Sequence, residues 1–236
     1  MIITLILLCL VGAIVLLDKQ AIGEFGISQP IIASPLIGLI FGEFEVGLFL
    51  GTALQLVWIG ALPLGAKEPT DNQSAGVVAI SSFLLAKKLN ISVEAEKLMF
   101  VGLLLGSIAS LLGQFSSQLL KRINNHLFLK AAQDFEDHNI ITNHLMGLLT
   151  FFLRNFILIL FFQIIVIAFA PFIRLLPQFS ISELIALPLG IGIAGIARLV
   201  IIPFRLALRE LRYNKQIIFS ILGMITGFIL WIIIKL

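Results

Sequence analysis

The chain has a single cysteine, Cys9, inside its first apolar run, so neither an intrachain disulfide nor a cysteine-based metal cluster can form. Placed there, it reads as a small buried hydrophobe. Charge is also scarce. Charged residues make up 12% of the chain against 59% hydrophobic ones, with a mean hydropathy of +1.11, far from the balance of a soluble domain. Short alternating strands are missing as well, and long unbroken apolar runs stand in their place, which excludes a β-barrel. The sequence contains no Gly-x-x-x-x-Gly-Lys-Ser/Thr phosphate loop, and its histidines, His126, His138 and His144, form no metal motif. They read as structural or interfacial residues. The first apolar run, residues 1–17, lacks a basic leading region, and Asp18 and Lys19 follow it without a small-residue cleavage site. It is therefore expected to be a retained helix and not a cleaved signal.

What is present is hydrocarbon-compatible sequence in quantity. With about 20 residues per spanning helix, the 236 residues predict an all-α polytopic membrane protein. About six to eight membrane-embedded segments are expected, including broken or re-entrant helical hairpins. The net charge of +3 comes from 16 basic and 13 acidic residues, most of the basic ones near the ends of apolar runs. That pattern sets topology and does not suggest nucleic-acid binding. One domain, 1–236, is expected, divided into an N-terminal half with a broken hairpin (1–86), a span plus amphipathic linker (87–142) and a C-terminal half (143–236).

Residues 31–64 are apolar but punctuated by Pro35, Gly38, Gly42, Gly47, Gly51, Gly60 and Pro63, with Glu43 and Glu45 near the middle. Two short halves in a hairpin fit this better than one straight helix. The pairs Gly38/Gly42 and Gly47/Gly51 permit close helix approach. Residues 75–86 are too short to cross alone, which favours a re-entrant element. Residues 98–120 predict a clear span closed by Lys121 and Arg122, and 123–140 an amphipathic helix along the membrane. Residues 143–170 predict another span, with Arg154 about two turns inside it, where it must snorkel, pair or face a polar interior. Residues 184–204, with Pro188, Gly190, Gly192, Gly195 and Pro203, read as a second broken segment, and 216–234 as the last span. The links at 121–142 and 205–215 together hold seven basic residues. The positive-inside tendency places both in the cytoplasm and the C-terminus outside.

Between these runs lies a polar island, residues 67–74, Lys-Glu-Pro-Thr-Asp-Asn-Gln-Ser. Unpaired polar groups at membrane depth are costly, so such a cluster marks a candidate site. A solvent-exposed connection between two spans is the plain alternative. A sugar presents several hydroxyls in fixed geometry and is recognised by carboxylates and amides aimed at them. Gln55, Glu68, Asp71, Asn72 and Gln73 supply that set and are the candidate substrate-binding residues.

The stretch from Gly23 to Asp71 resembles the IIC membrane component of the mannose/sorbose family of the bacterial phosphoenolpyruvate-dependent sugar phosphotransferase system. The residues that carry the likeness are Glu24-Phe25, Pro30, Gly38, Gly42, Gly51 to Leu56, and Leu64-Gly65-Ala66 with Asp71 beyond. His144 and Arg154, ten residues apart, extend it more thinly. The chain departs from the family pattern at Gln55, where many relatives have Glu, at Pro69-Thr70-Asp71 in place of a Pro-Asp pair, and at Leu187-Pro188 in place of paired glycines. The resemblance implies a permease subunit (EIIC) in the bacterial cytoplasmic (inner) membrane. It would translocate a mannose-, sorbose- or N-acetylated-hexose-type sugar. An EIID membrane subunit and soluble EIIA and EIIB subunits are the implied partners, in a homo-oligomer of IIC/IID units, with phosphoryl transfer on the partners and no cofactor on this chain. Two other classes stay open. One is a phosphotransferase-independent secondary transporter, with Glu43, Glu45 and Asp71 as coupling carboxylates. The other is a non-transporting membrane partner protein.

Overall fold

The computed structural model describes residues 1–59, 70–89, 92–133 and 137–207, together with Ile225. The regular structure in these residues is helical: α1 (Ile2–Leu17), α2 (Pro30–Ile40), α3 (Phe44–Trp58), α4 (Asn72–Leu89), α5 (Ala95–Gln133), α6 (Asp137–Phe169) and α7 (Ile181–Ala207). A π-helical turn (Asp18–Ile22) closes α1, and a 3-10 turn (Ala170–Leu175) closes α6. Helices over Ala95–His126 and Ile141–Leu175 are long and apolar enough to cross a bilayer. Shorter apolar helices occupy Ile2–Leu17, Pro30–Ile40, Phe44–Trp58 and Ile181–Ala197. The all-α membrane class expected from composition is the class observed.

An apolar core including Ile37, Leu54, Ile80, Phe83 and Phe162 is buried, and the surface is apolar as well. Leu145, Leu149, Leu153, Ile157 and Phe161 recur every four residues along α6, and all are exposed. They form one apolar stripe, as a lipid-facing helix requires. Ser34, Ser74, Ser81, Ser82, Asn155 and Gln163 are buried with the core. At the centre runs α4, whose residues from Gln73 to Ala86 are all buried. Helices α1, α2, α3, α5 and α6 surround it.

Glycine lets the backbones meet. α2 and α3 form the expected hairpin, turning at Gly42, whose φ of +80° suits glycine. A Cβ at Gly38 or Gly47 would strike the carbonyl of Glu43 or Ser34, and one at Gly76 would lie 2.7 Å from Pro30 Cα. The small-residue pairs thus act inside the hairpin, and Gly76 seats the hairpin on α4. Gly192 does the same for α7, where a Cβ would lie 2.7 Å from the Leu56 carbonyl of α3.

Three expectations change. Residues 75–86 do not form a short re-entrant piece: Asn72, Gln73 and Ser74 are already helical, giving α4 18 residues, or about 27 Å. The segment after Lys121 and Arg122 is no separate helix along the membrane. α5 runs on for 39 residues, because lysine and arginine are good helix formers and neither glycine nor proline interrupts residues 114–133. Residues 184–204 are not broken either, for α7 is continuous through Pro188 and Pro203. α5 and α7 both start at the end where Phe100 of α5 stacks on Phe179, 4.3 Å between centroids, and finish at the opposite end. The basic link beyond residue 207 and the span 216–234, with the orientation of the C-terminus, lie outside the described residues.

Gly76→Ala should lower stability by about 1–3 kcal/mol through overpacking against Pro30. Gly147→Ala, where a Cβ meets nothing within 4 Å, should be neutral or gain up to about 1 kcal/mol of helix propensity. Unfolding of the purified protein in detergent measures both, and equal effects would contradict the packing described.

Candidate functional site

The site is built at the first turn of α4. Asp71 precedes that helix as its cap. Its Oδ2 accepts from the Ser74 hydroxyl at 2.7 Å and its Oδ1 from the Ser74 N–H at 3.4 Å. A carboxylate there also meets the positive end of the helix. The Asp71 N–H donates to the Ser110 carbonyl of α5 at 3.2 Å, tying the cap to its neighbour. One turn along α5, a Cβ at Gly113 would lie 2.7 Å from Asp71 Oδ2, so only glycine leaves room for the carboxylate.

Arg154 of α6 fills the other side. Its Nη2 donates to Asp71 Oδ2 at 2.7 Å and to the Gly113 carbonyl. Its Nε donates to the Ser116 hydroxyl at 2.9 Å and its Nη1 to Asn155 Oδ1 at 2.8 Å. The two side chains are 9% and 4% exposed. Such a pair is held by these extra hydrogen bonds, because Coulomb attraction alone does not reliably offset the desolvation of two ions. Lys19 approaches Asp71 Oδ1 at 3.6 Å and donates to Gln73 Oε1. Beside it in the link, Asp18 accepts from the Phe25 N–H at 2.8 Å and from the N–H and hydroxyl of Ser28 at 3.1 and 3.2 Å.

Depth follows from the far end of α4. Lys87 pairs with Glu43 at the hairpin tip, and Lys88 donates to the Thr4 hydroxyl at 2.6 Å, so these charges mark one face. Asp71 lies 16 residues earlier, about 24 Å away along the helix. That spacing is shorter than a hydrocarbon core of about 30 Å.

The sequence candidates divide. Asp71 and Gln73, each 3% exposed, come together with Lys19 and Arg154, so this part of the island is no solvated loop. Asn72 donates to Gln29 Oε1 at 3.3 Å. Gln55 lies at the same level: Gly51 and Gly76 both abut Pro30, and Gln55 and Asn72 are each one turn from those contacts toward the Asp71 end. Its Oε1 is buried and has no hydrogen-bond partner among the described residues. Glu68, like residues 60–69 as a whole, lies outside the described residues. Glu43 and Glu45 sit at the hairpin tip, Glu43 bound to Lys87 and Glu45 exposed, away from Asp71. Lys19 and Gly113 escaped the sequence reading, and Ser74 was named in the polar island but not among the candidate substrate-binding residues. Ser74 alone carried a signal, as the residue three after a capping Asp. Across α3, a largely apolar cavity of about 670 Å³ opens between α3, α5 and α7, walled by Leu54, Trp58, Phe100, Phe179 and Leu187. Its size suits a small ligand.

The family model for the PTS system sorbose-specific IIC component matches residues 2–236. Over 224 residues the chain is 25% identical to the PTS system sorbose-specific EIIC component of Klebsiella pneumoniae, covering 93% of this chain and 76% of that protein. It is 33% identical over 57 residues to the putative N-acetylgalactosamine permease IIC component 2 of Escherichia coli K12, covering 24% of this chain and 42% of that one. Against the mannose-specific EIIC component of the same strain it is 28% identical over 74 residues, 31% and 26% of the two chains. A solved structure titled "Structure of membrane protein" superposes with a TM-score of 0.62 at 18% identity, over 100% of this chain and 94% of that one, a likeness of fold. With the family model matched across its length, the chain belongs to the sorbose-specific IIC component family of the phosphotransferase system, a family of membrane-embedded sugar-transport subunits.

Proposed function

We propose that this chain is the multi-pass permease subunit of a phosphotransferase system in the bacterial cytoplasmic membrane. It binds a mannose-, sorbose- or N-acetylated-hexose-type sugar and moves it inward for phosphorylation by a partner EIIB subunit. The observation that carries the reading is the Asp71 cluster, a set of polar groups held at membrane depth at one end of the hairpin. Family membership supports the assignment to transport, and the printed names of the relatives support the substrate class. An EIID membrane subunit, EIIA and EIIB, and a homo-oligomer of IIC/IID units complete the proposed assembly. Lys121 and Arg122, beyond Gly113 on α5, stand at the Asp71 end. The positive-inside tendency makes that end cytoplasmic.

In this reading the residues have distinct tasks. Asp71 is already engaged by Arg154, Ser74 and Lys19, so it holds the first turn of α4 in place and orients Gln73. Gln55 offers a buried amide oxygen with no partner among the described residues, ready to accept from a sugar hydroxyl. Asn72, and Glu68 from the stretch that precedes it, complete the proposed substrate set. The position of Glu43 and Glu45 at the opposite end favours this reading over ion-coupled secondary transport.

Asp71→Ala removes one partner of a buried pair, a change of about 3–5 kcal/mol. It should abolish uptake of labelled sugar while the protein still reaches the membrane fraction; undiminished accumulation would sink the assignment. Gln55→Ala, losing one hydrogen bond to substrate worth about 0.5–1.5 kcal/mol, should raise the half-saturating sugar concentration about 2- to 10-fold. An unchanged value would remove Gln55 from the site. Uptake should also vanish in cells lacking the soluble phosphotransfer proteins, whereas persistence would favour a secondary transporter.

A further inference from the structure

The cavity between α3, α5 and α7 contains none of the groups proposed above for the sugar. It measures about 670 Å³, and its lining is apolar except for Ser107, Gln178 and Glu183. Ser107 uses its hydroxyl proton on the Leu103 carbonyl of its own helix, at 2.8 Å. Gln178 and Glu183 stand at the end of the bundle where Phe100 stacks on Phe179, and both rings line the cavity beside them. From that mouth the cavity runs from Phe100 to Ser107 along α5 and from Glu183 to Ile191 along α7, about 10–12 Å. Trp58 lies at its inner end. It closes α3, which starts at the opposite terminus, where Glu43 pairs with Lys87 and the chain passes from α4 into α5. The cavity thus runs along the helices, and its length fits within half of a hydrocarbon core of about 30 Å.

These walls do not suit a sugar. Each hydroxyl carried past the mouth would lose its hydrogen bonds to water and find Ser107 alone to replace them. The cavity is also open sideways. Leu104 of α5 and Leu187 and Ile191 of α7 line it and yet are 48%, 71% and 42% exposed, so its two lips belong to the apolar surface that faces lipid. A hydrocarbon chain can enter there without crossing water. At the mouth, acceptors prevail. Gln178 Nε2 donates to Glu94 Oε1 at 3.0 Å, Glu94 pairs with Lys97 at 3.2 Å, and Glu183 accepts from the Ser180 N–H at 2.9 Å. Two carboxylates against one ammonium leave these groups net negative, and a carboxylate has lone pairs for more than one donor. They favour a head group that carries a positive charge and N–H donors.

We propose that this cavity binds one acyl chain of a phospholipid whose head bears a primary ammonium, a phosphatidylethanolamine, with the ammonium on Glu183 and the Gln178 amide oxygen. The chain fills the space between α7 and the wall formed by α3 and α5. Trp58 reports on it, because the sequence has two tryptophans and Trp231→Phe leaves this one alone. The full chain with that change is reconstituted in phosphatidylcholine vesicles. Lipid brominated at mid-chain, which quenches an indole on contact, is then titrated in as phosphatidylethanolamine or as phosphatidylcholine. The ethanolamine lipid should quench Trp58 with an apparent affinity about tenfold above the choline lipid, the effect of one charge-assisted hydrogen bond. In Glu183→Gln, which keeps an acceptor for the Ser180 N–H, the two lipids should quench alike. Ser107→Phe, which fills the inner end, should abolish most of the quenching; if it does not fold, Glu183→Gln decides alone. Equal quenching by both lipids with Glu183 present, no quenching by either, a preference that survives Glu183→Gln, or full quenching in Ser107→Phe would overturn the proposal. Quenching relieved by sorbose would overturn it too, and would give the cavity to the sugar.

Discussion

The structure depends on a buried ion pair. Asp71 and Arg154 come from helices 83 residues apart in sequence, and neither charge could remain in hydrocarbon alone. Arg154 is additionally held by Ser116, Asn155 and the Gly113 carbonyl, and Asp71 by Ser74 and Lys19. Four of the five Arg154 N–H donors and both Asp71 oxygens are thus engaged, the condition under which a buried pair is tolerable. The pair ties α4, α5 and α6 together at the end of the bundle where the hairpin of α2 and α3 also arrives.

That constraint explains the small residues around it. A carboxylate can enter the α4–α5 interface because position 113 is glycine, and the hairpin can lie against α4 because position 76 is glycine. Packing inside combines an apolar core with close backbone approach at glycine and buried serine and amide side chains.

Much of this was legible in the sequence because hydrophobicity is a long-range signal. The membrane class and the α2–α3 hairpin followed from the distribution of glycine, proline and charge, and Asp71 and Gln73 of the polar island are buried at the start of α4, while its residues 67–69 lie outside the described ones. Arg154 was legible as a residue that must snorkel, pair or face a polar interior; which of these holds, and its partner, was not, because nothing local links positions 71 and 154. Lys19 gave no sign, lying in a polar link where a lysine is unremarked. The continuity of α5 past Lys121 and Arg122, and of α7 through Pro188, was hidden for another reason. Charge and proline mark a membrane boundary or a kink in sequence, yet neither ends a helix when neighbours support it.

The most direct measurement is a double-mutant cycle on the ion pair, comparing Asp71→Asn, Arg154→Gln and the combined variant by unfolding in detergent. Each single change should destabilise by about 3–5 kcal/mol, because it strands a buried charge. The combined variant, with both charges gone, should fall short of the sum by about 2 kcal/mol or more. Strict additivity of the two changes would mean that the charges do not meet at membrane depth, and the account of how this bundle is held would be wrong.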